Sequence, residues 1–305
     1  MSGTEKQQSK SGVVAIVGRP NVGKSTLMNR ILGEKLSITS RKPQTTRHRL
    51  LGIKTVGLSQ FIYVDTPGIH SNVETAMNRY LNRAATSSMD DVDAVVFVID
   101  GEKWSSEDEA VLELLKKQRR PVIAIINKLD QIGNREKLLP MIEKLSGQME
   151  FNSIIPLSAL KGQGVEQLEK QLESLLPEGS HLYDEDQITD RSERFLVAER
   201  IREKLTRQLG QELPYALTVE IEQFKEAGKI TDIAAVIWVE REGQKGIVIG
   251  KKGSRLRSVG KEAREELEQL LGRKIFLQLW VKVRAGWSDD DRALQSLGYR
   301  EDQLL

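Results

Sequence analysis

The sequence of 305 residues contains no cysteine, which excludes disulfide bonds, thiolate metal sites and a cysteine nucleophile and agrees with a reducing compartment. Long hydrophobic runs are also missing: the longest, residues 94–99 and 121–126, are strand-sized and too short to cross a bilayer as helices. Residues 1–11 are polar, so they are no signal peptide and are predicted to form a disordered lead-in. These absences predict a soluble intracellular protein.

The chain has almost no excess of one charge. Lysine and arginine number 46 against 44 aspartate and glutamate, a net charge of +2, so any nucleic-acid site must be a local basic patch. Charged residues make up 30% and hydrophobic residues 39%, which is typical of globular rather than disordered proteins. The length predicts two domains.

The first half of the chain alternates strands and helices. Nearly continuous apolar runs predict buried strands at residues 13–17, 61–64, 94–99, 122–126 and 154–157. Amphipathic stretches predict helices at residues 24–32, 73–87, 107–118, 135–147 and 165–175. Ser106 and Glu109 have the spacing of a capping box for one of these helices. The alternation predicts an α/β domain over residues 12–176 with a mainly parallel, doubly wound sheet, to which residues 50–58 add an antiparallel edge strand.

The second half has a different pattern. Residues 177–189 begin with Pro-Glu-Gly-Ser, lack periodicity and are interpreted as a linker. Beyond it, Asp190 and Glu193 have capping-box spacing before a helix that ends at Gly210. The following pattern predicts strands at residues 217–221, 233–239 and 275–283, with a helix at residues 254–271 before the last strand. This order predicts an α+β domain over residues 190–305.

Residues 18–25 read Gly-Arg-Pro-Asn-Val-Gly-Lys-Ser between the first predicted strand and the first helix, which is the P-loop pattern in the context it requires. Its glycines let successive N–H groups converge on phosphate oxygens at a helix N-terminus. Lys24 would neutralise the β- and γ-phosphates, and Ser25 would bind Mg²⁺. The alternative is a chance glycine-rich turn, which the flanking strand and helix disfavour.

Three further motifs lie at the carboxyl ends of strands predicted later in the chain. Asp-Thr-Pro-Gly at residues 65–68 offers a carboxylate for Mg²⁺ and an amide that can follow the γ-phosphate. Asn-Lys-Leu-Asp at residues 127–130 offers a carboxylate that can accept from two N–H groups of guanine, which adenine does not present. Ser-Ala at residues 158–159 can direct a backbone N–H at guanine O6. Each motif alone is weak, but their order at strand carboxyl ends predicts a GTP site.

The polar and basic stretch at residues 37–49 lies between the P-loop and residue 65 and contains Gln44, Thr45 and Thr46. A threonine here can complete the Mg²⁺ shell only when a γ-phosphate is present, which would make this loop a switch. We expect Thr46 rather than Thr45 to do so. The alternative is a solvated loop in which neither threonine has such a role.

Ile69 stands where Ras-like enzymes carry a glutamine that orients the attacking water. Isoleucine has no hydrogen-bonding group, so intrinsic hydrolysis should be slow or should use another group. His48 and His70 are close in sequence, although a surface position is the more ordinary interpretation of each.

A local basic patch lies in the second half. Val248 and Ile249 form a short apolar run, interpreted as a strand, before Gly-Lys-Lys-Gly at residues 250–253. No acidic residue occurs over residues 245–261, so we expect this loop to contact the sugar–phosphate backbone of RNA. The alternative is a tight turn with solvated lysines. The predicted RNA-binding residues are Lys245, Ile249, Gly250, Lys251, Lys252, Gly253, Arg255 and Arg257.

Two features near the C-terminus are less specific. Phe276, Trp280 and Lys282 share one face of the last predicted strand, so they either stack on bases or are covered by a helix. Residues 286–305, including Trp287, have no interpretation from their pattern.

From residue 12 onward the sequence closely resembles the Era family of bacterial GTPases. The matching stretches are GRPNVGKST, ITSRKPQTTRHR, YVDTPGIH, NKLD, LSA, TDRSERF, VEREGQKGIVIGKKG and LWVKVRAGWSDDDRALQSLGY. The resemblance implies a P-loop, Ras-like GTPase domain with a doubly wound mixed sheet, followed by a type II KH domain. It implies binding to 16S rRNA near its 3′ end and a role in assembly of the 30S ribosomal subunit. It also implies a cytoplasmic protein of which a share lies peripherally at the inner membrane, and we expect a monomer that does not bind DNA.

The resemblance carries site residues with it. The implied catalytic residues are Lys24, Thr46, Gly68 and Asn21, and the implied Mg²⁺ ligands are Ser25, Thr46 and Asp65. The implied nucleotide-binding residues are Gly18, Arg19, Pro20, Asn21, Val22, Gly23, Lys24, Ser25, Thr26, Asp65, Thr66, Pro67, Gly68, Asn127, Lys128, Asp130, Ser158 and Ala159. Asn21 matches an asparagine that related GTPases use to hold an activating potassium ion. The implied cofactors are therefore Mg²⁺ and K⁺, with GTP or GDP as the ligand.

Two other functions stay open on the sequence. The chain could be a GTP-regulated tRNA-modification or membrane-associated protein that uses the same GTPase domain on another target. It could also be an RNA-binding module whose nucleotide site only locks a conformation. The KH-like segment argues against the first, and RNA-stimulated hydrolysis would argue against the second.

Overall fold

The computed structural model describes residues 8–40, 42, 45–68, 75–89, 91–134, 136, 138–210 and 213–299. The first half forms a six-stranded sheet in the order β2-β3-β1-β4-β5-β6. Its strands are β1 Lys10–Val17, β2 Leu50–Val56, β3 Ser59–Asp65, β4 Ala94–Asp100, β5 Val122–Asn127 and β6 Ser153–Pro156. The helices beside it are α1 Lys24–Leu32, α2 Ala76–Ser87, α3 Ser106–Leu115, α4 Leu138–Ser146 and α5 Val165–Leu175.

Burial on both faces explains why the central strands are continuous apolar runs. Every residue of β3, β4 and β5 is buried, and two hydrophobic clusters cover the two faces of the sheet. Neighbouring strands pair in parallel except β2, which is antiparallel to β3. The predicted doubly wound sheet and its antiparallel edge strand are therefore confirmed. The carboxyl ends of the parallel strands meet along one edge, as the pairing of Asp100 with Asn127 shows.

The second half forms a three-stranded sheet in the order β7-β8-β9. Its elements are α6 Glu193–Gln208, β7 Leu217–Ala227, β8 Ile230–Val239, α7 Glu242–Ile249, α8 Ser254–Leu271, β9 Lys274–Val283 and α9 Asp291–Ser296. Strand β8 pairs antiparallel with β7 and parallel with β9. Val197 of α6, Val259 of α8 and Ile237 of β8 are fully buried in one cluster, which packs the helices on one face of the sheet as expected of an α+β domain. In the described ranges, no helix has both the length and the apolar composition needed to span a membrane.

Two predicted helix caps are wrong. Helix α3 is capped by Ser105, and Asp108 completes the capping box, one residue before the predicted pair at each place. The carboxylate of Asp108 also accepts from Nε of Arg19 at 2.9 Å, a contact that local spacing does not reveal. Helix α6 begins after Ser192, whose side chain accepts from the N–H of Phe195, so the predicted Asp190 cap is replaced.

The predicted linker and lead-in both make more contacts than their polar composition suggests. Within residues 177–189, the N–H of Leu182 donates to Oε1 of Gln60 in β3 at 2.8 Å, so this segment lies against the first sheet. The lead-in over residues 1–11 is predicted too long, because β1 already begins at Lys10. In both segments, residues of neighbouring strands supply hydrogen-bond partners for the backbone of a stretch whose side chains are polar.

The short apolar run before the Gly-Lys-Lys-Gly loop is not a strand. Val248 and Ile249 end α7, so residues 250–253 join two helices. Val248 is fully buried while Ile247 is 50% exposed, which is the one-sided burial of an amphipathic helix. Consecutive apolar residues hide that pattern in the sequence.

Candidate functional site

Close packing requires glycine at two positions of the loop after β1. A Cβ at Gly18 would lie 2.3 Å from the carbonyl oxygen of Val98, and one at Gly23 would lie 2.3 Å from Nδ2 of Asn127. Gly23 also has φ 105°, which favours glycine. Because Gly23 directly precedes α1, the loop ends at a helix N-terminus, which is a favourable place for an anion.

Lys24 is buried at the start of α1. Its Nζ donates to the carbonyl oxygens of Gly18 and Arg19 at 2.9 and 3.0 Å. Burial lowers the pKa of Lys24 to about 8, against the opposing effect of the Asp65 carboxylate. Phosphate oxygens could replace the two carbonyl partners and would neutralise the ammonium charge as well.

The three residues expected to hold Mg²⁺ come together. Oγ of Ser25 donates to Oδ2 of Asp65 at 2.8 Å and lies 2.9 Å from Oγ1 of Thr46. Burial raises the pKa of Asp65, against the opposing effect of the Lys24 ammonium, and Oδ1 of Asp65 has no hydrogen-bond partner. Hydroxyl and carboxylate oxygens beside an unsatisfied buried carboxylate oxygen fit Mg²⁺.

The two threonines of the switch loop have different partners. Oγ1 of Thr46 donates to Oδ2 of Asp65 at 3.4 Å, whereas Oγ1 of Thr45 donates to the carbonyl oxygen of Lys42 at 2.6 Å. Thr46 thus occupies the place expected of the third magnesium ligand. Gln44 lies outside the described residues.

The side chain of Asn127 ties the phosphate end of the site to the base end. Its Nδ2 donates to the carbonyl oxygen of Val22 at 2.7 Å, and its Oδ1 accepts from the N–H of Ala159 at 2.9 Å. In this structure the Ala159 N–H thus donates to Asn127. The Asp130 carboxylate accepts from Oγ of Ser158 and also lines the open cavity.

Two basic residues near the site have acidic partners. Nε of Arg19 donates to Asp108 at 2.9 Å, and Nζ of Lys128 donates to Oδ2 of Asp100 at 2.6 Å. Lys128 still lines the cavity, whereas Arg19 does not. The Arg19 guanidinium thus contacts α3 and does not line the site.

These groups surround a cavity of about 780 Å³, a volume typical of small-ligand sites. The predicted residues in its wall are Pro20, Asn21, Gly23, Lys24, Ser25, Thr26, Thr46, Gly68, Asn127, Lys128, Asp130 and Ala159. The remaining predicted residues do not line it: Gly18, Arg19, Val22, Asp65, Thr66, Pro67 and Ser158. Some of these support the loops instead, as Thr66 does by donating to the carbonyl oxygen of Ile16 at 2.9 Å.

The cavity wall also contains residues that sequence reasoning missed. These are Ile38, Thr39, Ser40, Gln131 and Leu160. Only their position in the sequence could have indicated these residues, since each lies in the polar switch stretch or directly follows a motif. His70, which was considered for catalysis, and Ile69, which stands in the place of the glutamine of Ras-like enzymes, lie outside the described residues.

His48 does not occupy the simple surface position expected of it. Its ring stacks on Tyr299 with 4.6 Å between ring centroids and meets Phe195 edge-on at 5.2 Å. Loss of solvation lowers the pKa of His48 to about 3, so the ring is neutral near pH 7. The switch loop therefore packs against the second half of the chain.

The Gly-Lys-Lys-Gly loop is an exposed basic turn in front of α8. Gly250 has φ 73°, and a Cβ there would lie 2.9 Å from Cβ of Arg255. Lys251 and Lys252 are exposed, and Lys252 itself takes the left-handed conformation at φ 52°. Gly253 directly precedes α8, so both lysines stand beside a helix N-terminus.

The other predicted RNA residues surround this loop. Lys245 lies 3.8 Å from Glu242, Arg257 is exposed, and Ile249 packs against the hydrophobic core. On the outer face of β9, Phe276 and Trp280 are 54% and 42% exposed, so the covering helix considered for this face is not present in the described ranges.

Two different family profiles match the two halves of the chain. The family profile described as "50S ribosome-binding GTPase" matches residues 13–128, and the profile described as "KH domain" matches residues 212–288. The first match contains the P-loop and the switch threonines, and the second contains the Gly-Lys-Lys-Gly loop.

Similar proteins match almost the whole chain. A protein named GTPase Era from Marinobacter nauticus is 60% identical over 294 residues, which cover 96% of each chain. Another GTPase Era, from Ectopseudomonas mendocina, is 56% identical over 296 residues, covering 97% of this chain and 99% of the relative.

Solved structures show the same arrangement. A crystal structure of Era in complex with MgGDPNP and nucleotides 1506–1542 of 16S ribosomal RNA superposes with a TM-score of 0.93, at 42% identity, over 95% of this chain and 99% of that one. Aquifex aeolicus Era bound to GDP·AlF₄⁻, a variant protein, has a TM-score of 0.92, also at 42% identity and over the same shares of the two chains.

Base selectivity should depend on Asp130. Asp130→Asn replaces a carboxylate acceptor with an amide and should weaken GTP binding by about 2–3 kcal/mol, the scale of a hydrogen bond to a charged group. Xanthosine triphosphate, whose 2-oxo group can accept from the amide, should be favoured in its place. Competitive titration with both nucleotides measures the change, and equal GTP affinity of variant and parent would contradict the assignment.

The two switch threonines should differ in their effect on nucleotide discrimination. Thr46→Val removes the hydroxyl beside Ser25 and Asp65, so it should weaken binding of a Mg²⁺-loaded GTP analogue and leave GDP affinity nearly unchanged. Thr45→Val is the matched control, because it removes a hydroxyl that only contacts the backbone of Lys42. Titration of both variants with both nucleotides checks this, and a larger loss in the Thr45 variant would reverse the assignment.

Proposed function

The chain belongs to the Era family of GTPases, and from that premise we propose that it hydrolyses GTP with Mg²⁺ and binds 16S rRNA near its 3′ end in assembly of the 30S subunit. The observation that carries the proposal is the convergence of Ser25, Thr46 and Asp65 beside the P-loop. The support from comparison is the 42% identical Era that holds MgGDPNP and a 16S rRNA fragment together. Phosphate release from GTP, with and without an RNA copy of the 16S 3′ end, tests both activities at once.

The proposed nucleotide site divides into three parts. Backbone N–H groups of the loop before α1 would hold the phosphates, and Nζ of Lys24 would exchange its carbonyl partners for phosphate oxygens. Asp130 would accept from the guanine edge. Ser25, Thr46 and Asp65 would hold Mg²⁺, which when bound neutralises charge on the phosphates.

Gly68 is suited to sensing the γ-phosphate. A Cβ at this position would lie 2.7 Å from Cγ of Pro20, so its backbone can approach the P-loop only because it is glycine. Its N–H would donate to a γ-phosphate oxygen. Together with Thr46 it would hold the terminal phosphate from two sides, and hydrolysis would release both residues.

Because position 69 lacks the glutamine that orients water in Ras-like enzymes, we expect hydrolysis to depend on neutralisation of the phosphate charges instead. Isoleucine at position 69 cannot orient water, so we assign stabilisation of the transition state to neutralisation of phosphate charge by Lys24, by Mg²⁺ and by a potassium ion that Asn21 and a switch-loop carbonyl would hold. Asn21 lines the cavity and takes the left-handed conformation at φ 64°.

Hydrolysis should therefore be faster in potassium than in sodium chloride at equal ionic strength. Asn21→Ala should remove this difference while the P-loop still binds GDP. The measurement is single-turnover phosphate release in the two salts, with caesium as a third cation that tests size. Identical rates in potassium and sodium for the parent protein would exclude the potassium site and leave the GTPase proposal intact.

The KH domain supplies the proposed RNA surface. Lys251 and Lys252 present two exposed charges in front of α8, where a sugar–phosphate backbone can approach the glycines that flank them. The GTPase profile refers to the 50S subunit, but its match stops at residue 128 and includes no part of the KH domain. The small-subunit assignment therefore follows the Era complex with 16S rRNA.

Neutralising the loop should weaken RNA binding without affecting nucleotide. Lys251→Ala with Lys252→Ala should lower affinity for a single-stranded RNA from the 16S 3′ end and reduce the salt slope by about one to two, one unit for each phosphate that a lysine no longer neutralises. Lys116→Ala with Lys117→Ala, another exposed adjacent pair, is the matched control. An unchanged affinity and slope in the loop variant would make residues 250–253 a turn only.

Cellular location and assembly state complete the proposal. We assign the protein to the cytoplasm as a monomer that does not bind DNA, with a share held peripherally at the inner face of the cell membrane. The support for each of these is resemblance to the family, and fractionation of cells that express the chain would test the location.

A further inference from the structure

Residues 287–299, whose pattern has no interpretation in the sequence, pack against the GTPase domain. Trp287 and Leu294 are 0% and 2% exposed and form one cluster with Tyr80 and Leu81 of α2. This cluster contains no residue of either main core, so it is a separate contact between the end of the chain and α2.

The same segment also caps α2. The Asp289 carboxylate accepts from the N–H of Ala76, the first residue of α2, at 3.0 Å. A carboxylate at a helix N-terminus is favourable because it meets unpaired N–H groups and the positive end of the helix dipole. Helix α2 is the first described helix after Gly68, so the contact lies on the element that follows one proposed γ-phosphate sensor.

Tyr299, at the end of the segment, reaches the other sensor. Its hydroxyl accepts from Arg47 at 3.3 Å and lies 2.9 Å from Oγ1 of Thr218. The Arg47 guanidinium is 1% exposed and also donates to the carbonyl oxygen of Leu217 at 2.7 Å. Arg47 is thus inserted from the switch loop into the KH domain and held there by side-chain and backbone acceptors.

Thr46 is flanked on both sides by residues held in this way. After it, Arg47 and His48 contact Tyr299, the latter by ring stacking. Before it, the carbonyl oxygen of Thr45 accepts from Arg202 of α6. A chain held through the carbonyl group of Thr45 and the side chains of residues 47 and 48 leaves little freedom to residue 46. The side chain of Thr46 therefore points at Ser25 and Asp65 in the arrangement that the KH domain supports.

We propose that residues 287–299 form a positioning element for the γ-phosphate sensors, in which Tyr299 acts through Arg47 and His48 to hold Thr46 beside the Mg²⁺ site. Tyr299 does not line the proposed nucleotide cavity and acts through Arg47 and His48, so it is a positioning residue and not a catalytic one. The proposal rests on the GTPase function proposed above. By reciprocity, any ligand that favours Thr46 in this place also favours the docked tail, and weakening either one weakens the other.

The test compares nucleotide discrimination in full-length variants. Tyr299→Ala removes the ring and the hydroxyl, Tyr299→Phe removes only the hydroxyl, and Leu139→Ala removes an exposed hydrophobic side chain on α4 as the control. Dissociation constants are measured for a Mg²⁺-loaded, non-hydrolysable GTP analogue and for GDP. We expect about a tenfold loss of analogue affinity in Tyr299→Ala, within the usual range of coupling between sites, a smaller loss in Tyr299→Phe, and unchanged GDP binding in both.

A double variant separates positioning from general destabilisation. If Tyr299 acts through Thr46, its replacement should cost no further analogue affinity in a Thr46→Val background. Equal losses for analogue and GDP, or additive losses in the double variant, would overturn the inference, and so would unchanged analogue binding in both Tyr299 variants. A parent chain that binds neither nucleotide would instead overturn the GTPase proposal itself.

Discussion

The amide of Asn127 is the contact on which the geometry of the nucleotide site depends. One end of this planar group donates to the P-loop at Val22, and the other accepts from the loop after β6 at Ala159. The approach is so close that the facing residue, Gly23, cannot carry a Cβ. Three strand ends are thereby held as one edge, and the distance between phosphate site and base site is set by a single side chain. A carboxylate in its place could accept from Ala159 but could not donate to Val22, so only an amide satisfies both loops.

A second constraint acts between the two halves of the chain. Nζ of Lys35 lies 2.6 Å from carboxylate oxygens of both Glu203 and Glu266. Burial alone would raise the pKa of Glu266, but hydrogen bonds from Lys204 and Lys35 lower it to about 2, so it remains charged at any physiological pH. Desolvation limits what such pairs add to stability. Displacing the KH domain would nevertheless leave Lys35 without either of these two carboxylate partners, so the cluster favours one relative placement of the domains.

That placement brings the switch loop into the interface. Thr46 contacts Ser25 while Arg47 is buried in the KH domain, so adjacent residues face the proposed metal site and the domain contact. The loop proposed to sense the γ-phosphate is therefore also the loop that the KH domain restrains. The physical basis of such coupling is continuity of the backbone, because neither residue can move by several ångströms without the other.

Local chemistry explains how much the sequence determined by itself. The P-loop, the guanine motif and the order of strands could be predicted because each depends on neighbouring residues: glycines that permit tight turns, apolar runs long enough for buried strands, and side chains at their carboxyl ends. The antiparallel edge strand and the doubly wound sheet followed from the same patterns. The cap of α3 was misplaced by one residue because Ser105 with Asp108 and Ser106 with Glu109 have the same spacing, and the contact of Asp108 with Arg19, which is distant in sequence, cannot be read from that spacing.

Only the tertiary structure decided which groups meet. The separation of Thr45 from Thr46, the two roles of the Asn127 amide and the docking of residues 287–299 all depend on contacts between segments far apart in the chain. Arg47 and Tyr299, for example, are 252 positions apart, and neither residue type has a pattern that points to the other. Periodicity and spacing report what the backbone does locally, whereas the partner of a buried polar group is chosen by packing, since it must be satisfied by whatever the fold brings near.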